Sequence, residues 1–566
     1  MAPAAGGLCR FPPSGVPGCC CAAVLLSCCA RSKARHLIPR GPGPGADTVT
    51  PTDRESPEPR GSRADASERL ITVRSAPGAL PLVGHLVRLA RNPLGFLRSL
   101  PEHGDLVWVR AGRRKALVVC APDLTRQVLR DDRTFDKGGP IFDRAREIVG
   151  NGLASCPHGD HRRQRRLVQP AFHSSRLPGY AQAMTEHIDA LTRSWHDGQE
   201  IDVLTEMLTL TTRILTVTTF GNALTPAATG TLLDDIAVVL AGVTRRALIP
   251  PPLDRLPTPA NRRYQQALER LHLTTRRIVA DHRAEAADGD DLLTRLMAAR
   301  DTAPPAADEH APPGAGLSDA ELDDQVMTFL LGGVETAATA LSWALHWLAG
   351  HPSVLNRLHA EADLVLEGRA ATLDDLPRLE LTARILTETL RLSPPIWIFT
   401  RITTAPTELG GLRLPAGTVV VISPYLVHHR PDLHPGPELF DPDRWAPQHT
   451  PPPARDAFLA FGGGARKCIG DTFGLTEAAL ALSTVAARWH LSPVPGHECR
   501  PAPGAALTPR GLRIRVTARP HPPADAAAPP RSPTQAPDSP CPPDGSTVRR
   551  AGTRPPGPTP NGPRDR

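Results

Sequence analysis

Lysine is almost missing from this chain: Lys33, Lys115, Lys137 and Lys467 are the only four among 566 residues. Positive charge rests on arginine, and the formal net charge is +7. Residues 1–70 hold nine basic against six acidic side chains and residues 519–566 hold seven against four, so the stretch between them is close to neutral. A basic footprint for nucleic acid is therefore not supported on the folded part. A disulfide framework is missing as well. Six of the 11 cysteines (Cys9, Cys19, Cys20, Cys21, Cys28 and Cys29) crowd the N-terminal stretch, and the core holds Cys120, Cys156, Cys468 and Cys499. Four scattered cysteines do not staple a fold. The apolar run Cys19 to Ala30 is too short to span a bilayer. Leu25-Leu26-Ser27-Cys28 has a faint likeness to a lipoprotein cleavage site, but the charged segment before it is thin, which argues against export.

What is present divides the chain in three. Residues 1–70 are rich in Gly, Pro, Ser and Arg, and residues 519–566 in Pro, Ala and Arg. Neither composition can bury enough apolar surface to offset chain entropy, so both read as disordered extensions of one large domain, residues 71–518. Within it, Leu89 to Leu100 has helical spacing. Asp105 to Arg110 and Lys115 to Cys120 alternate around Gly112 as an antiparallel hairpin. Residues 122–300 read as helices with polar breaks, and Asp301 to Gly316 as a loop. A long helix starts at the Ser318/Glu321 capping box and runs to Leu348. About thirty residues give it roughly 45 Å, enough to cross a domain. It is apolar nearly all round, as a core helix or a membrane span would be, and Glu335, His346 and Gly332-Gly333 argue for the core. Further helices are expected at Pro377 to Leu392 and Asp471 to Trp489, with strand-like text at Leu412 to Leu414, Thr418 to Ile422 and Leu512 to Val516. The predicted class is mainly α with small peripheral β-sheets (α+β).

The segment Phe461-Gly462-Gly463-Gly464-Ala465-Arg466-Lys467-Cys468-Ile469-Gly470 sets one cysteine in a glycine-rich turn just before a helix. Glycines allow positive φ and close approach of a flat group. Helix-start N–H groups, Arg466 and Lys467 are expected to favour an ionised sulfur, which is a nucleophile or a metal ligand. Position by position this segment resembles the haem-binding signature of the cytochrome P450 superfamily, Phe-x-x-Gly-x-Arg-x-Cys-x-Gly. The resemblance implies the fold of that family, haem b with Cys468 as the thiolate ligand of the iron, Phe461 beside the sulfur, and Arg466 on a haem propionate.

Further motifs extend the resemblance over most of residues 77–516. Glu388 and Arg391, at i and i+3, with Arg444 from Pro437 to Trp445, match the family's buried structural triad. Gly332-Gly333-Val334-Glu335-Thr336 is similar to its oxygen-binding motif, which makes Glu335 a proton relay and Thr336 a hydrogen-bond donor. The alternative is a helical threonine bonded back to its own backbone beside a surface glutamate. Ala337 departs from the Thr or Ser often found next. His161, Arg165 and Arg401 match propionate-binding positions, whereas Arg162, Arg163 and Arg166 read as a solvated face.

The function so implied is a cytoplasmic monooxygenase that inserts one atom of O2 into an apolar small molecule. Electrons are expected from a ferredoxin and its NAD(P)H-dependent reductase, because the chain has no flavin domain or iron–sulfur cysteine spacing. The rival readings are a peroxide-using or O2-independent haem-thiolate enzyme and a non-enzymatic haem sensor. Residues 135–172 resemble bacterial oxygenases of sesquiterpenes such as pentalenene, and Pro395 to Phe399 are expected to line an apolar pocket.

Overall fold

The computed structural model describes residues 71–221, 226–248, 256–284, 291–301, 314–449 and 457–520. The expectations for residues 1–70, 302–313 and 521–566 lie outside the described residues. Helices dominate, and the largest sheet has six strands in the order Val73–Ser75, Leu106–Ala111, Arg114–Val119, Val419–Ile422, Phe399–Thr403, Phe135–Asp136. The expected hairpin is there, Leu106 opposite Val119 and Ala111 opposite Arg114, turning through Gly112 at φ +61°. A smaller sheet joins Trp489–Pro493, Arg513–Ala518 and Gln199–Asp202.

Three readings change. The helix expected from Leu89 to Leu100 is two, Leu86–Arg91 and Pro93–Ser99, because Asn92 leaves helical geometry and its side chain accepts the Gly95 N–H to cap a new start. Residues 122–300 are not helical throughout: Gln199–Asp202 is a strand whose partner, Arg513–Ala518, lies more than 300 residues away. Arg519, read as the beginning of a tail, pairs with Asp363 at 2.7 Å and with the Ala486 carbonyl at 2.8 Å.

The helix Asp319–Gly350 organises the interior. Ser318 caps it and Glu321 closes the box, as the sequence indicates. Its first half, with Leu322, Val326, Leu330 and Val334, packs among the helices Pro226–Leu248, Pro259–Ala284 and Leu292–Ala298. Its second half, with Leu341, Leu345 and Leu348, packs with Leu177–Ser194, Pro352–Leu366 and Asp471–Arg488. Each such buried leucine contributes about 1.5–3 kcal/mol. Among the described residues it is the one helix long and apolar enough to cross a membrane, but two-thirds of its most apolar window is buried in protein. It is a core helix.

Candidate functional site

Amid that packing one face of the long helix is open. Gly332 is exposed, Thr336 and Ala337 are half-buried, and a side chain built on Gly332 would meet nothing within 4 Å. Its neighbour Gly333 instead abuts Leu215 of the helix Val203–Phe220, so the two glycines serve different ends. The Thr336 hydroxyl donates to the Gly332 carbonyl at 2.7 Å. The expected donor therefore commits its proton to its own helix and presents lone pairs outward, which suits it to accept a hydrogen bond. Glu335 stands beside it, and burial raises its carboxyl to about 7, so it can take up and release a proton near neutrality.

The cysteine loop is built by its backbone. The Cys468 N–H donates to the Phe461 carbonyl at 2.9 Å and the Lys467 N–H to the Gly464 carbonyl at 3.1 Å, closing a tight turn just ahead of the helix Asp471–Arg488. Gly464, at φ +66°, could not be another residue, since a Cβ there would lie 1.9 Å from the Leu129 carbonyl oxygen. Cys468 keeps exposed surface within this frame, although protein atoms crowd round its sulfur. Burial pushes its thiol up, against the opposing Gly470 N–H, and Asp471 reinforces the rise. The two cations expected to lower it are engaged elsewhere: Lys467 lies 2.5 Å from Asp471, and Arg466 pairs with Asp132 at 3.1 Å and Asp136 at 2.7 Å. Arg165 and Lys137 are the cations that act on the sulfur. An unactivated thiol is a poor nucleophile, and a metal ion that displaces its proton suits it better.

The anion-binding residues separate into two groups. Arg165 donates to the Lys467 carbonyl at 2.7 Å and so ties the helix His158–Val168 to the cysteine loop. His161, Arg401 and Arg466 gather with Lys137. Burial lowers His161 to about 3 and Arg401 to about 10, with Arg466 pressing on both, and Lys137 falls to about 7 through burial and the two guanidiniums. His161 Nδ1 is buried without a hydrogen-bond partner, and Arg401 donates to its neighbour's carbonyl, Thr400, at 2.9 Å. Asp132 and Asp136 are both bound to Arg466. The surplus of cations and the orphaned imidazole fit a buried dianion such as the two carboxylates of haem. Lys137 was missed in the sequence, where a lone lysine after a short strand carries no periodic or motif signal.

Around this core the triad is complete. Glu388 accepts from Arg391 twice at 2.8 Å, from Arg444 at 3.1 Å, from the Trp445 indole at 2.9 Å and from the Asp441 N–H at 3.0 Å. Burial would raise its carboxyl, but the guanidiniums reverse this and hold it below the usual range. His428 links triad and loop: its Nδ1 lies 3.0 Å from the Arg391 carbonyl, and its Nε2 accepts the Leu459 N–H at 2.8 Å. Two readings are corrected here. Arg163 binds Glu321 and the Gly316 carbonyl, and Arg166 binds Asp301 at 2.8 Å, so of the three supposed surface arginines only Arg162 is fully exposed. Within Pro395 to Phe399, Pro395 and Trp397 are buried, the indole donating to the Gly504 carbonyl, whereas Ile396 is exposed and Ile398 and Phe399 are half-buried.

The family model for cytochrome P450 matches residues 75–515. The chain belongs to the cytochrome P450 family. It is 48% identical over 442 residues to cyclooctatin synthase of Streptomyces melanosporofaciens, covering 78% of this chain and 94% of that protein. Pentalenene oxygenase of Streptomyces avermitilis is 45% identical over 454 residues, covering 80% and 99%. Cyclooctat-9-en-7-ol 5-monooxygenase of Streptomyces melanosporofaciens is 45% identical over 430 residues, covering 76% and 92%. The crystal structure of the cytochrome P450DA haem domain superposes with a TM-score of 0.71 at 27% identity, covering 80% of this chain and 99% of that one. This P450 is accordingly a monooxygenase, and its family implies haem held by a cysteine thiolate, O2 and an electron donor.

Proposed function

We propose that this P450 oxygenates a terpenoid hydrocarbon, with Cys468 as the iron ligand and Glu335 and Thr336 as the proton-handling pair. The observation that carries the assignment is the open Gly332/Thr336 face, with the Glu335 carboxyl beside it, in a helix that is otherwise mostly buried. Haem, when bound, supplies the activation of O2. His161, Arg401 and Lys137 would hold its carboxylates, with Arg466 behind them and Arg165 bracing the loop. Glu335 delivers protons to the open face, and Thr336 accepts a hydrogen bond there and positions its donor. Ile396, Ile398 and Phe399 offer apolar surface to the substrate. The relatives that act on pentalenene and cyclooctat-9-en-7-ol favour a terpenoid over a fatty acid or steroid. Reduction by an acidic ferredoxin with its NAD(P)H-dependent reductase, in the cytoplasm, is the electron supply we propose, and the exposed cations Arg162 and Lys467 suit an acidic donor.

Turnover of pentalenene with a ferredoxin system under 18O2 tests the reading. Label in an alcohol product supports it. Product formed only with peroxide, or ligand binding without turnover, would favour the peroxide-using enzyme or the haem sensor. The proton route is tested by pH. Glu335 is protonated below about 7 and loses its proton above it, so product formed per reductant consumed should decline as pH rises through about 7. Glu335→Gln should remove that dependence and lower the product-forming rate by about 10²-fold, the lower end for a positioned general acid. An unaltered pH profile in Glu335→Gln would assign the relay to another group.

A further inference from the structure

Two glutamines lie buried where apolar side chains would cost less. Gln325 is fully enclosed on the helix Asp319–Gly350, and Gln164 is 1% exposed on the helix His158–Val168. A buried amide is tolerated only with its partners in place, and here the partners form one relay. The Leu153 N–H donates to Gln325 Oε1 at 3.1 Å, Gln325 Nε2 donates to Gln164 Oε1 at 2.9 Å, and Gln164 Nε2 donates to the Asn151 carbonyl at 3.0 Å. Both ends of the relay therefore grip the backbone of a single segment. Between the two gripped residues lies Gly152, where a Cβ would run into the Thr328 hydroxyl and the Asp324 carbonyl, and the Asn151 N–H donates to the Asp324 carboxylate at 2.6 Å.

The far end of the segment is held as closely. Its carbonyls at Ala154, Ser155 and Cys156 accept in turn from Lys137 at 2.7 Å, Arg146 at 3.1 Å and Arg466 at 2.8 Å. Lys137 and Arg466 belong to the cation cluster described above, so the segment bridges that cluster and the long helix. Gln325 stands seven residues before Gly332, which puts the two on one helix face to within about 20°, and Thr328 lies one turn before it. From Gly152 to Cys156 only Ala154 is exposed.

We propose that Gln325 and Gln164 are positioning residues for the oxygenation: they fix Asn151–Cys156 as one wall of the site and hold Ala154 against the substrate, so two amides that never touch the substrate govern which of its carbons is presented. A fully satisfied buried network specifies one arrangement where apolar packing would allow several. The inference rests on the Gly332/Thr336 face being the site of oxygenation, and it does not depend on which apolar molecule enters.

Titration of the haem-loaded protein with imidazole and with 4-phenylimidazole, followed by absorbance, reads the position of that wall without a substrate. Imidazole is too small to meet the wall, and the phenyl ring is not. Gln325→Leu fills the space but accepts nothing from the Leu153 N–H, so it should weaken 4-phenylimidazole relative to imidazole about tenfold. Gln325→Glu, whose carboxyl burial keeps protonated, repeats both bonds and should stay within about twofold of the parent. Ala154→Phe, at an exposed position that folding does not need, should weaken 4-phenylimidazole about tenfold or more and leave imidazole unchanged. An unchanged ratio in Gln325→Leu beside a lowered thermal midpoint would reduce the glutamines to packing. An equal loss in Gln325→Glu would show that the bonds are not what matters, and an unchanged ratio in Ala154→Phe would take the segment away from the site. Each of these overturns the proposal, whereas a parent enzyme that leaves pentalenene untouched fails only the substrate proposed above, because the ratio of the two imidazoles does not depend on it.

Discussion

Cys468→Ser is expected to abolish the thiolate-type spectrum of the reduced CO complex and to bring monooxygenase turnover to background. A serine alcohol is a hard, poorly ionised ligand, and the electron donation that assists O–O cleavage is lost with the sulfur. The loop itself should survive, because its hydrogen bonds are backbone bonds, Cys468 to Phe461 and Lys467 to Gly464. Haem should be retained in part through His161, Arg401 and Lys137, so the variant isolates ligation from binding. Cys120, Cys156 and Cys499 are built-in controls. Burial pushes the Cys120 thiol up to about 12 and the Cys499 thiol to about 11, and burial raises Cys156 as well, which marks all three as inert. Retention of the thiolate spectrum in Cys468→Ser, with its loss on replacing one of these three, would refute the assignment.

Glu388→Gln should be nearly as damaging without touching the site. The substitution leaves Arg391, fully buried, and Arg444, almost so, without their carboxylate. Removing one partner of a buried ion pair costs about 3–5 kcal/mol, a large part of the roughly 5–15 kcal/mol that holds a domain together. Since His428 joins the Arg391 carbonyl to the Leu459 N–H, just ahead of the cysteine loop, low haem content should accompany the drop in thermal midpoint. Both are measured by absorbance and calorimetry on the purified variant. A stable, fully haem-loaded Glu388→Gln would show that the triad is not what holds the loop.

Much of this was legible in the sequence where the physics is local. A capping box is two residues three apart, and Ser318 with Glu321 marks the helix start to the residue. The glycine pattern before Cys468 records a backbone that can tolerate no Cβ, as Gly464 against Leu129 bears out. Glu388 and Arg391 share a helix face by spacing alone. What escaped depends on contacts between distant segments. The strand Gln199–Asp202 exists because Arg513–Ala518 comes to it, and nothing in its own four residues requires it. Arg163 and Arg166 look solvated until Glu321 and Asp301 are brought up. Arg466 and Lys467 seemed aimed at the sulfur because sequence neighbours are assumed to act on one another, yet Asp132, Asp136 and Asp471 claim them. Trp397 alternates inward on a segment whose overall apolarity suggested a uniform pocket wall.

Glu321 serves two structures at once. Its carboxylate receives the Ser318 N–H at 2.8 Å to seal the long helix and also grips Arg163 on the helix that carries His161. A motion that loosens one loosens the other. The helix of the open Gly332/Thr336 face and the helix that carries His161 are thus tied by one carboxylate, and Glu321→Gln should weaken the cap and the tie together.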